Sequence, residues 1–217
     1  MKDLEKLERR AQENQNLAQN EIEFAKNLKL EAKYELERAK VREKLFQQEM
    51  EIAKIREILA KKKISLVERK RIIKNGNILK ISDEELKNEG DYANYYEKLA
   101  KNSSEIAKIH RKTAKAEENI ARLKIDFAND KMTLAYERNN LSKKQFQYIK
   151  LVRGKASENK ITNTEQKYKN QGERVWKFRD EVFNKEKEIK NKENELANLR
   201  KDLSLKLSER EKIKHLT

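Results

Sequence analysis

Residues 17–40 read LAQNEIEFAKNLKLEAKYELERAK, with alanine at 18, 25, 32 and 39, one at every seventh position. The series extends outward through Ala11 and Leu4 on one side and through Phe46, Ala53, Ala60 and Val67 on the other. Seven residues make two slightly under-wound helical turns. One heptad position therefore stays on one face, and a sustained repeat winds helices into a left-handed supercoil. The position before each column residue is bulky in most turns: Leu17, Phe24, Leu45, Ile52, Leu59, Leu66 and Ile73. Such a column predicts two backbones in close approach; the plainer reading is that alanine is simply the best helix former.

The pattern returns twice. Ala93, Ala100, Ala107, Ala114, Ala121, Ala128 and Ala135 form a second column, flanked by Tyr92, Leu99, Ile106, Ile120, Phe127, Leu134 and Leu141. A third keeps the period with large residues, Ile161, Tyr168, Val175, Val182, Ile189, Leu196 and Leu203, with Trp176 and Phe183 beside it. Between the columns, Gly76 predicts a left-handed C-cap and Ser82–Glu85 a capping box. Gly154 predicts the next stop and Thr162–Glu165 a second capping box. Ser65–Glu68 has the same spacing, but the apolar column continues through it, which favours an unbroken helix.

Short connections make successive helices antiparallel neighbours. The expected fold is all-α: one elongated domain, residues 1–217, an antiparallel coiled coil of three long helices with an alanine-rich heptad seam. The expected bounds are helix 1–75, turn 76–82, helix 83–153, turn 154–162 and helix 163–214, with lengths of roughly 110, 105 and 75 Å at ~1.5 Å per residue. Folding at the first turn should set Ala39 opposite a position near 110. The seam residues are Ala18, Ala25, Ala32, Ala39, Ala53, Ala93, Ala100, Ala107, Ala114, Ala121 and Ala128.

Composition agrees with a narrow core. Of the 217 residues, 42% are charged and 36% hydrophobic, with no proline or cysteine and four glycines. So polar a chain could be disordered, but a disordered segment would not keep a strict heptad. Without cysteine there are no disulfides, thiolate metal sites or cysteine nucleophiles. No signal-like or spanning apolar run is present, so a cytoplasmic location is expected.

Charge is unevenly placed. The net +15 is concentrated in residues 54–80, with 10 basic and 2 acidic residues, and 143–177, with 10 and 3; residues 1–53 and 81–142 each carry 11 and 12. Both excesses surround the expected turns, at opposite ends of the expected rod. Solubility and the preference of cations for helix C-termini explain part of this. The remainder points to an anionic partner, with Lys61, Lys62, Lys63, Arg69, Lys70, Arg71, Lys74, Lys143, Lys144, Lys150, Arg153 and Lys155 as candidate contacts.

Catalytic signatures are sparse. The histidines are His110 and His215, and no phosphate loop, HExxH or EF-hand spacing occurs. His110 reads as an edge-of-core residue, and Glu84–Glu85 and Glu117–Glu118 as solvated helix charges. Tyr92, Tyr95, Tyr96, Phe146, Tyr148, Trp176 and Phe178 lie near faces that need filling, which favours core or oligomer contact over base stacking. No enzyme activity, metal or cofactor is expected.

The segments Ile64-Ser65-x-x-Glu68, Ile81-Ser82-x-x-Glu85 and Ile161-Thr162-x-x-Glu165, with the alanine heptads, resemble the tip of the α-helical hairpin in membrane-fusion adaptors of efflux and secretion systems. That resemblance implies docking to an outer-membrane channel. Three helices with basic ends also resemble a BAR-type membrane-curving domain in size and layout. The sequence thus suggests a structural or adaptor protein, a stiff rod whose basic ends dock acidic protein surfaces. The alternative is a peripheral membrane-binding dimer on anionic lipid; nucleic acid is the weaker candidate because the cations flank turns and line no groove. Homo-oligomerisation is expected because Trp176, Phe178 and Phe183 spread around the third helix.

Overall fold

The computed structural model describes residues 2–76 and 81–215 and contains three helices and no strand among them. These are α1 (Lys2–Asn75), α2 (Asp83–Arg153) and α3 (Glu158–Lys214), of 74, 71 and 57 residues. α1 passes through Ser65 unbroken, as the column continuity predicted. None of the described helices is long and apolar enough to cross a membrane.

The helices divide between two compact units. The first comprises Met1–Leu36 and Glu118–Glu193, the second Glu37–Glu117 and Asn194–Thr217. The core of the first unit draws on all three helices: Ala25 and Leu28 from α1, Phe127, Ala128, Leu134 and Leu141 from α2, and Val175, Val182 and Ile189 from α3. Phe24 meets Phe127 edge-to-face with ring centroids 6.3 Å apart. In the second unit the buried apolar residues include Ala39, Ala53, Ala60 and Val67 on α1, Leu86, Ala93, Leu99, Ile106 and Ala107 on α2, and Leu196 and Leu203 on α3.

Every alanine named as a seam residue is buried. The bulky flanks behave differently on the two long helices. On α2, Leu99, Ile106, Ile120, Phe127, Leu134 and Leu141 are buried, whereas on α1 Leu17, Phe24, Ile52, Leu59 and Leu66 are exposed. α2 is covered on two sides, so its flank column turns inward, while the flank column of α1 sits at the margin of its packed face.

The helix ends correct two expectations. At the start of α2, the Glu85 amide donates to Ser82 Oγ at 3.1 Å, the first half of the capping box. The Glu85 carboxylate instead accepts from Lys70 Nζ at 2.6 Å, a stronger, charged donor than the cap amide. Gly76 donates to the Ile72 carbonyl at 3.0 Å, but no glycine among the described residues takes a positive φ. That conformation belongs to Lys155, at φ 52°. Ala156 N donates to Leu151 O at 3.0 Å and Lys155 N to Val152 O at 3.2 Å. This is a Schellman closure with Lys155, one residue past Gly154, at the left-handed position.

Because that closure is finished by Ala156, α3 begins at Glu158 and not at 163. The Lys160 and Ile161 amides donate to the Ser157 carbonyl. The Thr162–Glu165 segment therefore lies inside the helix. Thr164 Oγ1 donates back to Lys160 O at 2.8 Å, and Glu165 pairs with Lys169 at 2.6 Å. The middle of the expected first turn, residues 77–80 of 76–82, lies outside the described residues.

Candidate interaction surfaces and a buried charge ladder

Three positions after most residues of the alanine-rich heptad columns, both long helices carry a polar residue. On α1 these include Asn14, Glu21, Glu35, Arg42, Glu49, Arg56 and Lys70; on α2 they include Glu89, Ser103, His110, Glu117, Lys124, Arg138 and Gln145. In the first unit, Gln145 meets Asn14 at 3.2 Å, Arg138 meets Glu21 at 3.1 Å and Lys124 meets Glu35 at 2.9 Å. In the second, Arg42 meets Glu117 at 3.2 Å, Arg56 bonds Ser103, and Lys70 meets Glu89 at 2.6 Å. Within each unit the partner number falls on α2 as the position rises on α1.

These pairs correct the expected register. Within the second unit, Arg42 bonds Glu117, about ten residues further along α2 than a register with Ala39 opposite 110 would place it. α1 ends at Asn75 and α2 begins at Asp83, so the midpoint between them in the sequence lies past Gly76 and the partner level lies several residues further along α2 than a reversal at Gly76 would give.

α3 supplies a third side to the ladder. Lys124 Nζ sits among Glu31 at 2.8 Å, Glu35 at 2.9 Å and Glu193 at 2.8 Å. Burial alone would lower its pKa, but the three carboxylates outweigh that and hold it well above the ordinary lysine value. Those three glutamates have the spacing of a cation site, with ligand oxygens within 4.8 Å of one another, and the ammonium of Lys124 occupies it.

In the second unit, Glu117 is 0% exposed and accepts from Arg42 and from Arg200 at 2.9 Å. It is not the solvated helix charge that the sequence suggested. Arg210 reaches Glu49 at 2.6 Å, and Lys206 reaches Glu105 at 2.9 Å. His110 is buried, as an edge-of-core residue would be, and its Nδ1 has no partner among the described residues. Burial first, then the Arg42 charge, push its pKa below the ordinary value, with Arg210 adding to the effect and Glu49 and Glu117 opposing it.

The candidate cations fall into two groups. In the second unit, Lys70 binds Glu85 and Glu89, Lys74 binds Asp83, and Lys61 pairs with Glu57 on its own helix. Lys62, Arg69 and Arg71 are exposed and Lys63 is half-buried. In the first unit, Arg153 pairs with Glu8 and Lys144 donates to Gln171, while Lys143, Lys150 and Lys155 are exposed. Lys70, Lys74 and Arg153 thus hold the helices together beside the turns; the outward charge rests on their neighbours. Trp176, at 62% exposure, and Phe183 are solvent-facing with Arg179 and Lys187 over their rings, whereas Phe178 packs on the core.

No family model, curated protein or solved structure matches the chain significantly.

Nothing in the composition flagged the ladder, because polar residues on a long helix read as surface. The available signal was the inverse charge order of the two columns when one is read backwards against the other, acid on base at 21 and 138, acid on base at 35 and 124, and base on acid at 42 and 117.

Proposed function

We propose that the chain is a non-enzymatic adaptor: an antiparallel three-helix coiled coil whose exposed cations beside the turns dock acidic protein surfaces. The alanine columns let α1 and α2 approach closely, and the ladder of complementary pairs fixes their register. This reading is supported by the seven-residue recurrence of buried alanine and by interhelical bonds that climb one helix while descending the other. Buried polar pairs contribute little net stability but do select one alignment.

The observation that carries the docking reading is the cluster Lys61, Lys62, Arg69 and Arg71, four exposed cations within eleven residues of one helix. Three of them, Lys62, Arg69 and Arg71, have no ion-pair partner among the described residues. The macrodipole favours a cation in the last turn only, and Lys62 and Arg69 lie above it.

Changing all four to glutamine should weaken binding to a poly-glutamate probe and flatten its salt dependence, with the far-ultraviolet circular dichroism unchanged. The same change at Lys26, Lys33, Lys101 and Lys108, which stand among acidic neighbours, should do less. Equal losses from the two sets would sink the reading. Running anionic vesicles and duplex DNA beside the polypeptide separates it from its rivals, since preferential binding to vesicles would support the peripheral-membrane alternative.

A further inference from the structure

The first unit keeps two large apolar side chains of α3 out of its core. Trp176 is 62% and Phe183 54% exposed, seven residues apart on one face, whereas Phe178 and Val182 between them pack inward. Both line a groove of about 380 Å³ where α3 meets α2 and Glu21 of α1, and Arg179 and Asp180 line it with them. Positions i, i+3, i+4 and i+7 share a helix face. The four residues therefore form one strip: aromatic, cation, acid, aromatic.

This strip is complementary to its own reverse. Turned end over end about the point between Arg179 and Asp180, Trp176 falls on the place of Phe183, and Arg179 on that of Asp180. Two copies of α3 laid antiparallel on that axis set each Trp176 on the partner's Phe183 and each Arg179 against the partner's Asp180. Further out on the same face, Lys187 then meets Gly172, which has open space where a Cβ would stand. Arg179 lies over the Trp176 ring at 4.8 Å, and neither it nor Asp180 has an ion-pair partner among the described residues. Both are free to pair across the axis.

Charge also points to a second copy. In the groove Lys131, Arg138 and Arg179 are matched by Glu21, Asp180 and Glu186. A wall so balanced selects neither an acidic nor a basic partner and suits a surface equal to itself. Two chains of net charge +15 repel one another over most of their surface. A balanced apolar strip is where they can meet.

We propose that this strip is the interface of an antiparallel homodimer, in which two α3 helices pack on a two-fold axis between Arg179 and Asp180. The contact is isologous and closes at two copies. Trp176 and Phe183 supply the affinity, and the two Arg179–Asp180 pairs fix the register. The inference is independent of the cation cluster on α1, which each dimer would carry twice.

Trp176 is the single tryptophan of the chain, so its emission reports on the strip alone. Diluting the full chain should shift that emission to the red in step with the fall from dimer to monomer in sedimentation equilibrium. Phe183→Ser and, separately, Arg179→Asp should each raise the dissociation constant roughly tenfold. Asp180→Arg alone should weaken the dimer too, because it sets cation on cation. The double variant R179D/D180R restores opposite signs across the axis and should recover most of the loss. All of these positions are exposed, and far-ultraviolet circular dichroism establishes that the variants remain helical; the charge set carries the test if Phe183→Ser does not fold.

A chain that stays monomeric at the highest attainable concentration would overturn the proposal. A dimer that Phe183→Ser and Arg179→Asp leave intact would do the same, because its contact then lies elsewhere. Weakening by the single charge changes without recovery in R179D/D180R would overturn the two-fold register. Assembly that continues past two copies would overturn the closed contact.

Discussion

Lys124 and Glu117 are both buried charges with more than one partner, yet their loss should cost different amounts. Removing Lys124 leaves Glu35 at 7% side-chain exposure beside Glu31 and Glu193, three like charges around a vacated point. Lys124→Met should therefore destabilise by about 3–5 kcal/mol in urea unfolding. Glu117→Leu strands Arg42 and Arg200, whose side chains are 23% and 42% exposed and can bend to water; it should cost clearly less. Equal costs would mean that solvent access does not set the penalty. His110 gives a pH signature of known sign. Its folded pKa lies below its unfolded value of 6.5, so the unfolded chain takes up the proton first and stability falls as pH drops below about 6.5. His110→Gln should flatten that limb, seen by comparing chemical denaturation of the two proteins at pH 7.5 and 5.5.

At the scale of the element, the end of α2 and the start of α3 carry a conformation that the residue does not favour. A non-glycine residue in the left-handed region costs ~1–2 kcal/mol, partly offset because glycine orders at greater entropic cost. Lys155→Gly should raise the melting midpoint, by the equivalent of roughly 0.5 kcal/mol. Gly154→Ala should not, since a Cβ there would meet the Lys150 carbonyl at 3.1 Å. Ser82→Ala removes the acceptor of the Glu85 amide and should cost about 1 kcal/mol. Element limits were largely readable in the sequence: Asp83 and Arg153 fall where Ser82 and Gly154 pointed. The start of α3 was not, because two residues with capping chemistry, Ser157 and Thr162, compete, and a lysine in a glycine's place at 155 hid how early the reversal ends.

Across the molecule, what the sequence showed and what it concealed divide along one line. A heptad of alanine is visible in one helix at a time, so burial of Ala18 through Ala128 could be anticipated from spacing alone. The ladder is a property of two helices in register, and a reader who cannot fix the register sees only polar surface. The exposed flank of α1 was illegible for a related reason: spacing tells that Leu17, Phe24, Leu59 and Leu66 lie beside the seam, not whether that margin is covered. The ladder makes a prediction of its own. Exchanging Glu21 and Arg138 singly should destabilise, while E21R/R138E together should recover most of the loss, a coupling of about 1–3 kcal/mol in a double-mutant cycle. An additive double variant would show that the two side chains do not read one another.

Lys124 also confers an unusual reactivity. An amine acylates through its neutral form, and this one is shielded from solvent and held protonated by three carboxylates, so an activated ester that labels the exposed lysines should leave it untouched while the first unit is closed. Each opening of that unit exposes the amine and lets its pKa return toward that of an ordinary lysine. The modified fraction at this one position, read by mass spectrometry after a timed pulse, becomes a clock for how often the helices part.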